Sequence, residues 1–228
     1  MIITGHRGAM GSEPENTLRS FRRAVQEGCD EIELDLRVTA DGRLVVLHDA
    51  TVDRTTDATG AVADLTFDEV RALDAGLGEQ VPTWAEVVAA VDVRFQAEVK
   101  AEAAVGLLAE SLRTDPELAR RTLVTSSHAE VLLAVRRELP DAATGLILGR
   151  TPAFDEIVAR ATAADAGTAL CGIAGLTVDG VADLHERGFD VTAWPVPDAQ
   201  VFARAAELAV DGVTTDHPDR LCTLARAS

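Results

Sequence analysis

A chain of 228 residues is long enough for one α/β barrel, which takes roughly 200–250 residues, and its formal net charge of −17 excludes general nucleic-acid binding, which needs a basic face. Hydrophobic residues make up 47% of it, enough for a full core, and no segment approaches the ~20 unbroken apolar residues of a membrane span. Cys29, Cys171 and Cys222 are odd in number, far apart and outside any Cys-x-x-Cys pair, which argues against a disulfide framework or a zinc cluster.

The chain opens directly on a strand, Ile2-Ile3-Thr4-Gly5, with no charged or apolar leader before it, so the expected compartment is the cytoplasm. A loop follows, and Asn16 or Thr17 is expected to cap a helix running to about Glu27, with Gly28 stopping it. From Cys29 to Arg37, Ile32, Leu34 and Leu36 alternate with Glu31, Glu33, Asp35 and Arg37, the period of a β-strand. An Asp41-Gly42 turn leads to a return strand, Leu44 to Leu47, that ends at His48. Residues 50–82 are less regular, with a short helical piece near Phe67–Ala72, and read as a small insertion lying over the strand ends. Thr83 caps a helix to Val91, and Arg94–Lys100 is a strand that places Glu98 and Lys100 on one face. Strands near Thr122–Ser126, Ala143–Leu148, Ala169–Ile173, Asp190–Val196 and Gly212–Thr215 then alternate with helices near 130–139, 153–165, 179–187, 199–208 and 218–226. Such alternation means parallel strands, and eight strand-helix units close a TIM (β/α)8 barrel with the insertion after the second strand, in one domain spanning 1–228. An open doubly wound sheet is the alternative, but the Gly-x-Gly-x-x-Gly loop is missing after the first strand.

Active sites of such barrels lie where strands end. His6, Glu33, Asp35, His48, Glu98, Lys100, Trp194 and Asp216 all fall at or near such ends and are expected on an accessible rim. Glu33 and Asp35 project from one strand face about 7 Å apart and repel unless a cation or water separates them. Three carboxylates without a cysteine ligand suit a hard cation, Mg²⁺ or Ca²⁺, over Zn²⁺. Against them stand Arg7 and Lys100, the latter the one lysine beside twenty arginines. With a divalent ion these cations leave one net positive charge, enough to receive a singly charged phosphodiester despite the acidic whole. A salt-bridged rim in which Arg7 and Lys100 merely neutralise the acids is the plainer reading.

These residues resemble the glycerophosphodiester phosphodiesterases. The resemblance rests on His6-Arg7-Gly8, Pro14-Glu15-Asn16-Thr17, Glu33-Leu34-Asp35, His48-Asp49 with Arg54-Thr55-Thr56, Pro82-Thr83, Glu98-Val99-Lys100, Trp194, and Asp211 to Pro218, in that order across nearly the whole chain. It implies a TIM barrel that hydrolyses a small glycerophosphodiester to glycerol 3-phosphate and an alcohol. By motif, Glu33, Asp35 and Glu98 would hold one Mg²⁺ or Ca²⁺. His6 and His48 would be general acid and base, and Arg7, Lys100 and Trp194 would contact the substrate. Two departures bear on substrate preference. Trp194-Pro195-Val196-Pro197 stands where the family often has Trp-Thr-Val-Asn, and the prolines remove two backbone donors. His128 stands where it often has Phe.

Three other readings are narrower. An amidohydrolase-type barrel typically begins with His-x-His, and here Arg7-Gly8 follows His6. A non-catalytic phosphodiester-binding barrel would be favoured by loss of a site residue, and none is missing. Hydrolysis of lysophospholipids at a membrane would want an exposed apolar collar, which 4% aromatic residues and no basic amphipathic helix do not supply.

Overall fold

The computed structural model describes residues 1–227, with side chains through 225. Strand β1 (Ile2–Gly5) leads through a long turn to helix α1 (Leu18–Glu27). Thr17 caps that helix by accepting the Ser20 N–H, and Gly28 ends it with φ 100°. Asn16, the other predicted cap, instead adopts a left-handed φ of 59° and turns its side chain inward. Strand β2 (Glu31–Val38) follows, then the short β3 (Leu44–Val46). Helix α2 (Phe67–Arg71) and helix α3 (Trp84–Ala90) both start on capping boxes, Thr66 with Glu69 and Thr83 with Glu86. The second of these was foreseen from Thr83.

From β4 (Arg94–Val99) the chain alternates regularly: α4 (Val105–Thr114), α5 (Pro116–Arg120), β5 (Thr122–Ser126), α6 (Ala129–Glu138), β6 (Ala143–Ile147) and α7 (Phe154–Ala163). It continues with β7 (Thr168–Gly172), α8 (Val178–Glu186), β8 (Asp190–Trp194), α9 (Ala199–Glu207), β9 (Gly212–Thr215) and α10 (Pro218–Ala227). Among the described residues nine strands form one sheet, and eight of them are parallel and closed into a barrel by the pairing of β1 with both β9 and β2. Ile32, Leu34 and Leu36 of β2 are wholly buried in the main core, which also holds Phe21, Phe95, Leu108 and Leu132. The acidic residues between them face the barrel interior.

β3 explains how the return strand serves the site. On one side β2 pairs with β1 only at Glu31 and Ile32, while on the other it pairs with β4 from Glu31 to Leu36. It therefore overshoots β1, and antiparallel β3 takes the vacated edge opposite Leu36, Arg37 and Val38. The hairpin turns above the rim and descends, so the chain after β3 returns to the barrel mouth; the Leu47 N–H meets the Asp35 carbonyl at 2.9 Å. Val45 of β3 joins Leu47, Val52, Val62, Val70, Ala75 and Val81 beyond it in a small satellite core. That core fastens the irregular segment against the outside of the hairpin.

Candidate active site

At the end of β1 the chain makes a tight left-handed turn, with Arg7 at φ 48° and Gly8 at φ 83°. A side chain at Gly8 would collide with the backbone of Ser20, so the third residue of His6-Arg7-Gly8 has to be glycine. Left-handed backbone costs a non-glycine residue about 1–2 kcal/mol. At Arg7 the strain is met by specific contacts: the Arg7 N–H donates to Glu33 Oε2 at 2.9 Å, and its carbonyl accepts from Ser20 Oγ at 2.8 Å and the Asn16 N–H at 3.0 Å. The turn thus points the Arg7 side chain and His6 over the acidic strand.

Glu33 and Asp35 of β2 meet Glu98 of β4, which pairs in register with Asp35. One oxygen from each lies within 4.8 Å of the others. The expected accessible rim is a buried floor instead: Glu33 is 4%, Asp35 1% and Glu98 8% exposed. Glu33 and Asp35 lie on the part of β2 that runs past β1, and Glu98 stands beside Asp35 on β4. Lys100, just past β4, places Nζ 3.0 Å from Asp35 Oδ1 and 2.8 Å from Glu98 Oε2. The other Asp35 oxygen accepts from Asn16 Nδ2 at 2.8 Å and lies 3.4 Å from Arg7 Nε. Burial opposes ionisation of Asp35, but Lys100 and Arg7 outweigh it and hold its pKa below the usual carboxylate range. Burial and the nearby Asp35 charge push Glu33 up to about 8. Lys100 is desolvated, yet Asp35 and Glu98 keep its pKa above the ordinary lysine value.

This donor set fits a hard divalent cation. Three like charges are buried together, and Glu33 Oε1 and Glu98 Oε1 receive no hydrogen bond among the described residues. Carboxylates crowded together on the cavity floor and a neighbour forced towards protonation are what a cation would relieve. Arg7 and Lys100 are paired with acids, as the plainer reading held. They are not exhausted, however: Arg7 Nη2 donates no hydrogen bond among the described residues, and Lys100 has a third N–H.

The two histidines are held alike. His6 Nδ1 lies 2.7 Å from Asp216 Oδ1, and His48 Nδ1 lies 2.6 Å from Asp49 Oδ1. A carboxylate only accepts, so each Nδ1 carries the proton and each Nε2 is left to exchange one. Burial disfavours protonation of His6, but the Asp216 hydrogen bond and the Glu33 charge outweigh it and raise its pKa. Arg37 grips the His48 carbonyl with Nε at 2.9 Å and Nη2 at 2.7 Å. Arg54, from the segment after β3, forks onto Glu15 at 2.7 and 2.8 Å and reaches Asp49 at 2.6 Å, while Glu15 accepts from Arg7 at 2.7 Å. One arginine that touches neither carboxylate cluster nor histidine therefore ties Arg7 to His48. Arg54→Ala is expected to lower kcat on the order of 10-fold with the barrel intact, as for other supporting residues around a site. Arg54→Lys should recover little, because an ammonium cannot make the fork; steady-state kinetics of the two variants check this.

His6, Arg7, Glu33, His48, Glu98, Lys100, Trp194 and Asp216 line one cavity of about 410 Å³ at the barrel mouth, and Asp35 lies just beneath it. Trp194 is fixed by its Nε1 donating to the Leu170 carbonyl at 3.2 Å. Pro195 lines the cavity beside it, while His128 is exposed, pairs with Glu130 at 3.6 Å and stands away from the wall. Sequence reasoning gave no part in the site to Glu15, Asn16, Asp49 and Arg54, although its own motifs contained them. It missed Arg150 entirely, whose signal was its place in the loop after β6, since loops at strand ends build such sites.

The sequence model of the Glycerophosphoryl diester phosphodiesterase family matches residues 6–220. A glycerophosphodiester phosphodiesterase of Caldanaerobacter subterraneus is 31% identical over 99% of this chain and 98% of its own. An Oleispira antarctica phosphodiesterase, solved with the product sn-glycerol-3-phosphate, superposes with a TM-score of 0.91 at 25% identity over 100% of this chain and 97% of its own. A glycerophosphodiester phosphodiesterase of Agrobacterium tumefaciens superposes with a TM-score of 0.85 at 27% identity, over 98% of this chain and 99% of its own. The carboxylate floor, the paired histidines and these full-length likenesses agree, and the chain belongs to the glycerophosphoryl diester phosphodiesterase family of hydrolases.

Proposed function

We propose that the cavity hydrolyses small glycerophosphodiesters to sn-glycerol 3-phosphate and an alcohol, using one Mg²⁺ or Ca²⁺ held by Glu33, Asp35 and Glu98. The observation that carries this reading is the flanking of a buried three-carboxylate floor by two histidines, each with Nδ1 fixed by an aspartate. The product named for the Oleispira antarctica structure supports the choice of substrate.

A phosphodiester resists hydrolysis because its anionic oxygens repel the nucleophile. When bound, the cation supplies Lewis-acid charge that offsets these oxygens as negative charge grows. Arg7 Nη2 and the third Lys100 N–H donate to the same oxygens. One histidine Nε2 takes the proton of the attacking hydroxyl as its oxygen bonds to phosphorus. The other gives a proton to the ester oxygen as its bond to phosphorus breaks, so the alcohol leaves neutral. Trp194 offers a flat apolar wall to the carbon atoms of one ester arm. We read the full chain as one catalytic unit, with the segment of about 50–82 holding His48 and Arg7 in place through Arg54.

Lys100→Arg is expected to keep the charge and lose most of the activity, roughly 10-fold or more in kcat. A planar guanidinium cannot occupy the point between Asp35 Oδ1 and Glu98 Oε2 that the ammonium fills. An enzyme fully active with arginine at this position would show the lysine to be ordinary.

The reading is tested by offering glycerophosphocholine and lysophosphatidylcholine with either cation and assaying released sn-glycerol 3-phosphate and choline. It expects sn-glycerol 3-phosphate from the first and slow or no turnover of the second. Preferential release of choline from the lysophospholipid would replace it with a lysophospholipase reading, and binding without turnover would make the barrel a receptor. Among the described residues no helix is long and apolar enough to cross a membrane.

A further inference from the structure

The cavity has two chemically different halves. Residues on or just past β1, β2, β3, β4 and β9 furnish the acids, histidines and paired cations. The other half is built from the ends of β6, β7 and β8: Ile147, Leu170, Trp194 and Pro195 make an apolar wall, and Arg150 stands at its edge. No carboxylate lines this half. Arg150 makes no hydrogen bond or ion pair among the described residues, in a chain where 38 acidic residues outnumber 21 basic ones and most arginines have found a partner.

Its position is built in. The Leu148 N–H donates to the Leu170 carbonyl at 2.8 Å, and the Gly172 N–H donates to the Gly149 carbonyl at 3.1 Å, so the loop leaves β6 locked to β7. Gly172 lies against the backbone of Arg150 so closely that any side chain there would strike it, and a side chain at Gly175 would come within 2.8 Å of Pro152. Two glycines thus let the segment 149–152 seat directly on the end of β7. A half-buried apolar wall with one unpaired, exposed guanidinium on an anchored backbone at its rim is a receptor for an anion on a short carbon arm.

We propose that Arg150 determines alcohol preference, by receiving a second negative charge on the ester arm that the phosphodiester extends towards β6–β8. The favoured substrates are then glycerophosphodiesters whose alcohol itself carries a phosphate or phosphodiester. Trimethylammonium alcohols are the disfavoured class: such a cation binds through several aromatic faces or a carboxylate, and this half offers one ring, no carboxylate and an arginine. Arg150 also answers a problem set by the net charge of −17, which repels a dianionic substrate unless the cavity carries its own compensation. The inference rests on the hydrolytic reading above.

The experiment compares kcat/KM for three diesters that share the glycerophosphoryl end: glycerophosphoglycerophosphoglycerol, with a second anion, glycerophosphoglycerol, with a neutral alcohol, and glycerophosphocholine, with a cation. Each is tested on the wild type, Arg150→Gln and Arg150→Glu at low and high salt. The wild type is expected to favour the anionic alcohol over the cationic one by about 2- to 5-fold, the range of an exposed charge pair, and less so at high salt. Arg150→Gln should flatten the order, mainly through KM, and Arg150→Glu should invert it. A wild type without the anionic preference, or an order unmoved by Arg150→Glu, would overturn the inference while leaving the hydrolytic reading intact. Failure of the wild type to cleave any of the three with either cation would overturn both.

Discussion

Replacing either His6 or His48 by alanine is expected to lower kcat by at least about 10²-fold, and the double variant should be little worse than the worse single one. Each ring is oriented by a carboxylate on Nδ1, so each loss removes a proton-transfer group whose geometry was already fixed. In the proposed mechanism the two act in one exchange, with one proton leaving the attacking hydroxyl and one reaching the departing oxygen. Removing either stalls the same transition state, which is why the losses should not add. Metal affinity should be nearly kept, because neither ring belongs to the three-carboxylate set. Isothermal titration of the variants with Mg²⁺ or Ca²⁺, run beside the kinetics, separates the roles. A variant that loses metal in proportion to activity would make that histidine a ligand. Asp216→Asn and Asp49→Asn offer a finer check, since an amide can donate to Nδ1 and shift the proton to Nε2.

Loss of a floor carboxylate should be at least as severe for activity, but the two acids of β2 should differ in what else they cost. Asp35 is ionised and buried, and it receives Lys100, Arg7 and Asn16. Asp35→Asn leaves two buried cations short of a counter-charge, and breaking such a pair costs about 3–5 kcal/mol. That variant should lose turnover and also melt well below the wild type. Glu33 is different: burial beside Asp35 already pushes it up to about 8, so the metal-free protein gains little from its charge. Glu33→Gln should therefore melt close to the wild type in chelator. It should lose both turnover and the rise in melting temperature that added cation gives the wild type, since a ligand binding only the folded state stabilises it. Equal melting behaviour of the two variants would contradict this division of labour.

Much of this arrangement was legible from the residues. The alternation in β2 and the Glu98-x-Lys100 spacing place side chains on one face whatever the tertiary context, so the acidic cluster and its lysine could be read directly. Capping at Thr17, Thr83 and Gly28 is equally local. What escaped depends on distant pairings. That Glu33 and Asp35 form a floor and not a rim follows from the overshoot of β2 past β1, a matter of register between strands. The descent of His48 into the mouth follows from the same overshoot. Helix α4 opens on Ala104 without a side-chain cap, so it had no start signal of its own. Asn16 looked like a cap and became a partner of Asp35, a choice decided by a contact 19 residues away. Arg54 and Glu15 are 39 residues apart, and only the folded segment after β3 brings them together. The cysteines show the same limit: Cys29 and Cys222, far apart in the sequence and outside any Cys-x-x-Cys pair, place their sulfurs 3.9 Å apart in the core.

The most direct measurement is release of sn-glycerol 3-phosphate from a glycerophosphodiester by chelator-treated protein, followed as free Mg²⁺ or Ca²⁺ is raised. Turnover should be absent in excess chelator, rise to saturation at a stoichiometry of one ion per chain, and stay at background for Glu33→Gln at every concentration. Full turnover by the wild type in excess chelator would contradict the carboxylate floor as the seat of the reaction.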